Sequence, residues 1–251
     1  MKILKKIGSW TGKTVLTLSA VYLLLNIYTY VRESGKPKIL FIGDSVTDAK
    51  INYKLWHPYS LFRYCYAWKL PIYHEALYAH GGWCRLVGEK KGWNWYNSGS
   101  GGARLAENGR YNSIVRRVEV LTRMKKFDYV IVSGGINDLD DDHWIGGDRT
   151  YSIQALREIC ATLKGTKAKV GFIIPYYTGN AHGKMGVYGD MMRQVCEEYH
   201  VPYLDQRESV VRLDTSEGVR TYGIDGKDRL HCNEQAYEIL SESICRWLDT
   251  L

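Results

Sequence analysis

The chain has 251 residues, 45% of them hydrophobic and 24% charged, which suits one sizeable α/β domain with a short appendage and excludes a disordered protein. Its formal net charge of +7 is gathered at one end: residues 1–38 hold seven lysines and arginines against Glu33 alone, and the remaining 213 residues carry 27 basic and 26 acidic groups. A domain so evenly balanced has no basic face with which to neutralise phosphates, so no nucleic-acid partner is expected.

The first element in chain order is an uncharged apolar run over residues 14–31, TVLTLSAVYLLLNIYTYV, with lysines before it and Arg32 after it. Its length at helical rise is about 27 Å, near the ~30 Å hydrocarbon core of a bilayer. The same run could be the core of a secretory signal. Its small residues Ser19 and Ala20 lie inside the apolar stretch, however, and Tyr30-Val31-Arg32 offers no small residue for cleavage, which favours an uncleaved anchor. The lysines ahead of it set an N-inside orientation and place the rest of the chain outside the cytoplasm. Residues 1–35 are therefore expected to form a cytoplasmic tip and transmembrane helix, and residues 36–251 an extracytoplasmic domain.

Within the domain, Ile39-Leu40-Phe41-Ile42 is a short apolar run stopped by Gly43, as in a parallel strand buried on both faces. Trp95-Tyr96, Tyr129 to Val132, Val170 to Ile174 and the weaker Pro202-Tyr203-Leu204 repeat the pattern. Helical stripes fall between them at Ile114, Val118, Leu121 and Met124, and at Ile153, Leu156, Ile159 and Leu163. A last helix opens at the N-cap residue Asn233 and presents Ala236, Leu240, Ile244, Trp247 and Leu248. This alternation predicts a three-layer α/β/α fold around a parallel sheet of about five strands. Residues 51–79 interrupt it with nine Tyr, Trp and Phe side chains and read as an inserted lid or extra helical layer.

The six cysteines form no CxxC pair and no cluster with histidine, so neither a structural zinc nor any other cofactor is expected. Cys160, Cys196 and Cys245 fall in helical patterns as buried thiols, whereas Cys65 and Cys84 share the aromatic region and suggest a bridge. Asp140-Asp141-Asp142-His143 reads as a solvated acidic loop.

In an open parallel sheet, ligands bind beyond the carboxyl ends of the strands. The first strand delivers Gly43-Asp44-Ser45 there. The second delivers Asn97-Ser98-Gly99-Ser100-Gly101-Gly102, the third Gly135-Ile136-Asn137-Asp138, and the approach to the last helix Asp228-Arg229-Leu230-His231. A hydroxyl, a glycine-rich turn, a side-chain amide and an Asp/His pair are the parts of an acyl-transfer site. Each short motif occurs often by chance, and the weight rests on their joint order after successive strands.

In that order and context the four segments resemble the blocks of the SGNH (GDSL-like) hydrolases over residues 38–250. Two departures are the aromatic insertion and Cys232, which stands where a proline often follows the histidine. The resemblance implies Ser45 as nucleophile, His231 as general base and Asp228 as its orienting carboxylate. It also implies an oxyanion hole from the N–H groups of Ser45 and Gly99 and the Asn137 amide, with Asp44, Asn97, Gly102 and Asp138 supporting. Asp225 competes with Asp228, but only Asp228 has the family spacing.

The abundance of tyrosine and tryptophan over phenylalanine favours amphipathic contacts such as ring stacking on sugars. An O-acetylated carbohydrate is the expected substrate, with a lysophospholipid or other lipid ester second. The same site could transfer an acyl group to a sugar hydroxyl. A tethered glycan-binding protein is a different class of function, disfavoured by the intact triad. A flavodoxin-like cofactor protein is disfavoured by the few hydroxyl residues after the first strand. The oligomeric state is left open.

Overall fold

The strands begin where the sequence alternation places them and pair in one five-stranded sheet, in parallel throughout. The computed structural model describes residues 35–48, 82–106, 113–124, 127–139, 150–179 and 183–251, together with Thr17. The apolar run 14–31 (Thr17 aside), the aromatic insertion 51–79 and the acidic stretch 140–143 lie outside the described residues. Among those described, no helix is long and apolar enough to cross a membrane.

Strand β1 is Lys38–Gly43, followed at once by a single-turn helix α1, Ser45–Asp48. Then come α2 (Gly82–Lys91), β2 (Asn94–Gly99), α3 (Ile114–Met124) and β3 (Tyr129–Ser133). A 3₁₀ turn over Ile136–Leu139 precedes α4 (Thr150–Lys164), β4 (Lys169–Ile174), α5 (Met185–Glu198) and β5 (Tyr203–Asp205). The chain closes with α6 (Ser216–Tyr222), a 3₁₀ turn over Ile224–Gly226, and α7 (Glu234–Leu248). The strand order is β2-β1-β3-β4-β5, so the order reverses at β1, whose C-terminal end carries the Gly43-Asp44-Ser45 turn.

Side chains alternate across a strand, and the two faces of β1 show it. Leu40 and Ile42 join Val130, Val132, Phe172 and Ile174 in one core, covered by α3, α4 and α5. Ile39 and Phe41 join Ile131 and Ile173 in a second core, covered by α2 and α7. All four β1 side chains are fully buried, each contributing about 1.5–3 kcal/mol relative to exposure. This gives the three layers, and explains why the strands read as continuous apolar runs rather than alternating ones.

The expected stripes bury as periodicity requires: Ile114, Val118 and Leu121 on α3, and Ile153, Leu156, Ile159 and Leu163 on α4. Helix α7 starts at its predicted cap, where Asn233 Oδ1 accepts the Ala236 N–H at 3.1 Å, an interaction worth about 1 kcal/mol. Helices α2 and α5 have less obvious stripes because glycines sit on their buried faces, Gly88 on α2 and Gly189 on α5. Cys84, Cys160, Cys196 and Cys232 are buried free thiols and Cys245 a half-buried one. Of the bridge suggested between Cys65 and Cys84, Cys65 lies outside the described residues and Cys84 is a free thiol. Cys84 lies on α2 against α1, its Sγ 3.7 Å from the Thr47 carbonyl.

Candidate active site

The C-terminal ends of three strands meet side by side, because Gly43 is in register with Gly99 of β2 and with Ser133 of β3. Whatever follows these residues shares one edge of the sheet. At Gly43 a Cβ would run into the Thr47 side chain and the Ser133 carbonyl, so the sharp strand-to-helix turn admits only glycine. Asp44 is buried, and its Oδ1 accepts the Val46 N–H at 2.9 Å, so Asp44 caps α1. That leaves the hydroxyl of half-buried Ser45 free of any capping duty.

The Ser45 Oγ lies 3.1 Å from His231 Nε2, and His231 Nδ1 lies 3.0 Å from Asp228 Oδ2. The other carboxylate oxygen, Oδ1, accepts the N–H groups of Leu230 at 2.7 Å and His231 at 2.9 Å. Burial pushes the Asp228 carboxyl up, but these two N–H groups and the imidazole outweigh it and hold the group below its ordinary value. An ionised Asp228 requires the proton on Nδ1, which leaves the Nε2 lone pair to accept from the serine hydroxyl. Asp225, the sequence competitor, is exposed at a backbone φ of +53°. The ring meets Asp228 instead.

The loop carrying this pair is pinned from several sides. Ile224 N–H donates to the His231 carbonyl at 3.1 Å, and Asn233 N–H to the Tyr222 carbonyl at 2.8 Å. From the end of β4, Gly179 N–H donates to the Arg229 carbonyl at 3.0 Å and Tyr176 Oη to the Leu230 carbonyl at 2.9 Å. Tyr176 is fully buried, and its sequence context gives no sign of this role. A tyrosine following an apolar strand has the composition of core, and only its contact reveals that it holds the histidine loop.

The β2 and β3 turns are stapled to this edge by side chains. Asn97 Nδ2 donates to the Thr47 carbonyl at 2.7 Å and its Oδ1 accepts the Gly99 N–H at 2.7 Å. Asn137 Nδ2 donates one hydrogen to the Ala103 carbonyl at 2.8 Å, and its second hydrogen has no partner among the described residues. Asp138 Oδ2 accepts the Leu105 N–H at 3.0 Å. Burial pushes the Asp138 carboxyl up to about 6, against the pull of the Leu105 and Ala106 N–H groups, the Ser152 hydroxyl and Arg104. Burial likewise pushes Asp44 up to about 7, opposed by the Val46 N–H and by Arg117. These two acids hold loops in place, and among the described residues neither carboxyl is hydrogen-bonded to Ser45 Oγ or His231.

Gly99 differs from expectation. Its N–H is directed at Asn97 Oδ1, not left for an incoming oxyanion, and a Cβ there would strike the Asp48 backbone. Its absence of a side chain serves the close approach of β2 to α1. Ser100 N–H donates to the Gly43 carbonyl at 3.1 Å, which draws the following turn against the start of the serine loop. Gly102 lies in that turn at φ +69° with open space around it. Among the described residues the N–H groups of Ser45 and Gly102 have no hydrogen-bond partner.

No group of three His, Cys, Asp or Glu side chains among the described residues is placed to hold a metal ion. The parts present can deprotonate a hydroxyl, carry the proton and donate to a developing negative charge.

Solved structures share this fold. One is a protein from Lactobacillus plantarum, 18% identical, covering 86% of this chain and 97% of its own, with a TM-score of 0.62. An acetyl xylan esterase from Geobacillus stearothermophilus is 21% identical over 86% of this chain and 95% of its own, with a TM-score of 0.56. A psychrotrophic esterase from a Pseudoalteromonas species is 15% identical over 85% and 97%, also at 0.56. No curated protein matches the chain. The sequence profile of the GDSL-like lipase/acylhydrolase family matches residues 41–239, from β1 into α7. With that match spanning most of the chain and all four blocks of the site, the protein belongs to the GDSL-like lipase/acylhydrolase family and is a carboxylic ester hydrolase.

Proposed function

We propose that the protein removes acetyl groups from O-acetylated carbohydrate through an acyl-serine on Ser45, outside the cytoplasm and tethered by the apolar run 14–31. The observation that carries the mechanism is the unbroken chain of contacts from Ser45 Oγ through His231 to Asp228. His231 Nε2 takes the hydroxyl proton as Ser45 Oγ bonds to the ester carbonyl carbon. The carbonyl oxygen becomes an oxyanion, met by the N–H groups of Ser45 and Gly102 and the second Asn137 amide hydrogen. In this reading Gly102 takes the donor role expected of Gly99. Collapse breaks the bond to the alcohol oxygen, which leaves with the proton from Nε2. Water then repeats the sequence on the acyl-serine, returning Ser45 and releasing the acid.

The substrate class is supported by two similar folds that are acetyl xylan esterases and by the richness of the chain in tyrosine and tryptophan. The location is supported by the lysine-flanked apolar run. The full chain, in detergent, is assayed on p-nitrophenyl acetate, on longer-chain esters, on acetylated xylan and on lysophospholipid, beside Ser45→Ala. Acetate release from the glycan that vanishes in the variant supports the reading. A preference for lysophospholipid replaces the substrate. Release of p-nitrophenol undiminished in Ser45→Ala removes the mechanism.

A further inference from the structure

We propose that Arg117 is a positioning residue for the hydrolytic site, holding the ends of β1 and β2 at the separation that aligns Ser45 with the glycine turn. The inference rests on the esterase reading and adds to it a residue outside the four blocks.

A carbonyl oxygen has two lone pairs, and at the end of β1 the Gly43 carbonyl, which accepts the Ser100 N–H at 3.1 Å, can take a second donor. Here β1 and β2 end side by side, and both then carry functional turns. Ser45 lies two residues after Gly43, and Gly99 and Gly102 follow Ser98. Arg117 reaches both ends at once. Its Nη2 donates to the Gly43 carbonyl at 2.6 Å, while Nη1 donates to the Ser98 carbonyl and contacts Ser98 Oγ at 3.5 Å. The residue lies on α3 three positions after Ile114 and is 5% exposed. It thus occupies a place on the buried face of the helix that would ordinarily be apolar. Its neighbour Arg116 instead pairs with Glu119 at the surface.

The guanidinium is suited to this task because its donors are fixed in one plane, so the spacing of the two carbonyls is set by a rigid group. Asp44 and Asp48, each 2% exposed, favour the charged guanidinium through space, Asp44 only as it ionises near pH 7. Asp44 also caps α1 through Val46. Cap, cation and two strand ends form one connected unit beneath the serine. A buried cation is a poor source of net stability compared with apolar packing. Its placement at the one edge that carries the chemistry points to geometry as its purpose.

The test compares the full chain with Arg117→Lys and Arg117→Met. The measurements are kcat and KM per site titrated by a fluorophosphonate, the rate constant of that labelling, and backbone hydrogen exchange. In Arg117→Lys, kcat and the labelling rate constant are expected to fall together by about 100-fold, with KM changed less than about threefold. Peptides covering 43–48 and 97–102 are expected to exchange faster, while 169–174 stays protected. A merely stabilising role would lower the number of titratable sites and leave kcat per site alone, and that result overturns the proposal. If Arg117→Met does not fold, the lysine variant decides by the same criteria. A parent that neither hydrolyses esters nor takes the label sinks the esterase reading. Failure of the clamp itself is separately visible, as unchanged exchange of the two peptides in Arg117→Lys.

Discussion

Replacing Asp228 by asparagine tests the tautomer argument with little change of shape. The carboxylate makes three contacts in the loop: Oδ1 with the N–H groups of Leu230 and His231, and Oδ2 with His231 Nδ1. The amide oxygen of asparagine can keep the first two, so the loop remains pinned. The amide nitrogen then takes the place of Oδ2 and presents a donor to Nδ1. Two donors cannot share that 3.0 Å contact, so the ring proton moves to Nε2. Nε2–H then faces Ser45 Oγ as a donor and can no longer remove its proton. In a Ser-His-Asp protease the same change lowers kcat by about 10⁴, equivalent to about 5.5 kcal/mol of barrier. We expect a fall of that order here. Loss of charge-assisted bonding should lower stability by only about 1–2 kcal/mol, and each kcal/mol shifts Tm by about 2–4 °C in a domain of this size. The native state holds the Asp228 carboxyl below its ordinary value. Its ionisation therefore stabilises the fold above the unfolded-state pKa, and that contribution is lost as pH falls through the native value. The variant should lack this acid-side loss. The assay is p-nitrophenyl acetate turnover with a melting curve at each pH. An Asp228→Asn protein that melts within a few degrees of the parent and keeps kcat within about tenfold would refute the tautomer argument.

Asn137→Ala removes a donor from the proposed oxyanion site and the staple to Ala103; kcat should fall by about 10²–10³, and restoration of the parent rate in a folded Asn137→Ala would remove the amide from the mechanism. Gly99→Ala would force a Cβ into the Asp48 backbone, and chemical denaturation should show a loss of about 1–3 kcal/mol or more. A neutral result there would show that β2 can move away from α1. Burial raises Asp44 to about 7 and Asp138 to about 6, so between about pH 4 and 7 the native state binds more protons than the unfolded chain. Stability must fall as pH rises through that window, by up to about 1.4 kcal/mol per pH unit for each proton. Asp44→Asn, which keeps an acceptor for Val46, should flatten that slope, as equilibrium unfolding at several pH values would reveal; an unchanged slope would contradict the burial argument.

Much of this protein is legible in its sequence, because the determinants are local. Apolar runs such as Ile39 to Ile42 can be buried on both faces only in a parallel sheet, and helical spacing at Ile114, Val118 and Leu121 states which face is covered. The order of Ser45, Asn137, Asp228 and His231 along the chain, each beside a strand end or before the last helix, carries the chemistry for the same reason: strand polarity puts all such ends on one edge. Tertiary structure alone decides where hydrogen bonds go between segments far apart in sequence. The sequence points to Gly99 as the glycine that faces an oxyanion, until Asn97 is seen to take the Gly99 N–H. Tyr176 reads as core until its hydroxyl reaches the Leu230 carbonyl. Arg116 and Arg117 are adjacent and chemically identical, yet one pairs with Glu119 at the surface and the other bridges Gly43 and Ser98. A residue type announces what it can donate or accept, but which partner it finds depends on how segments dozens of residues apart are packed. That is settled by the burial of the sheet between its two layers of helices.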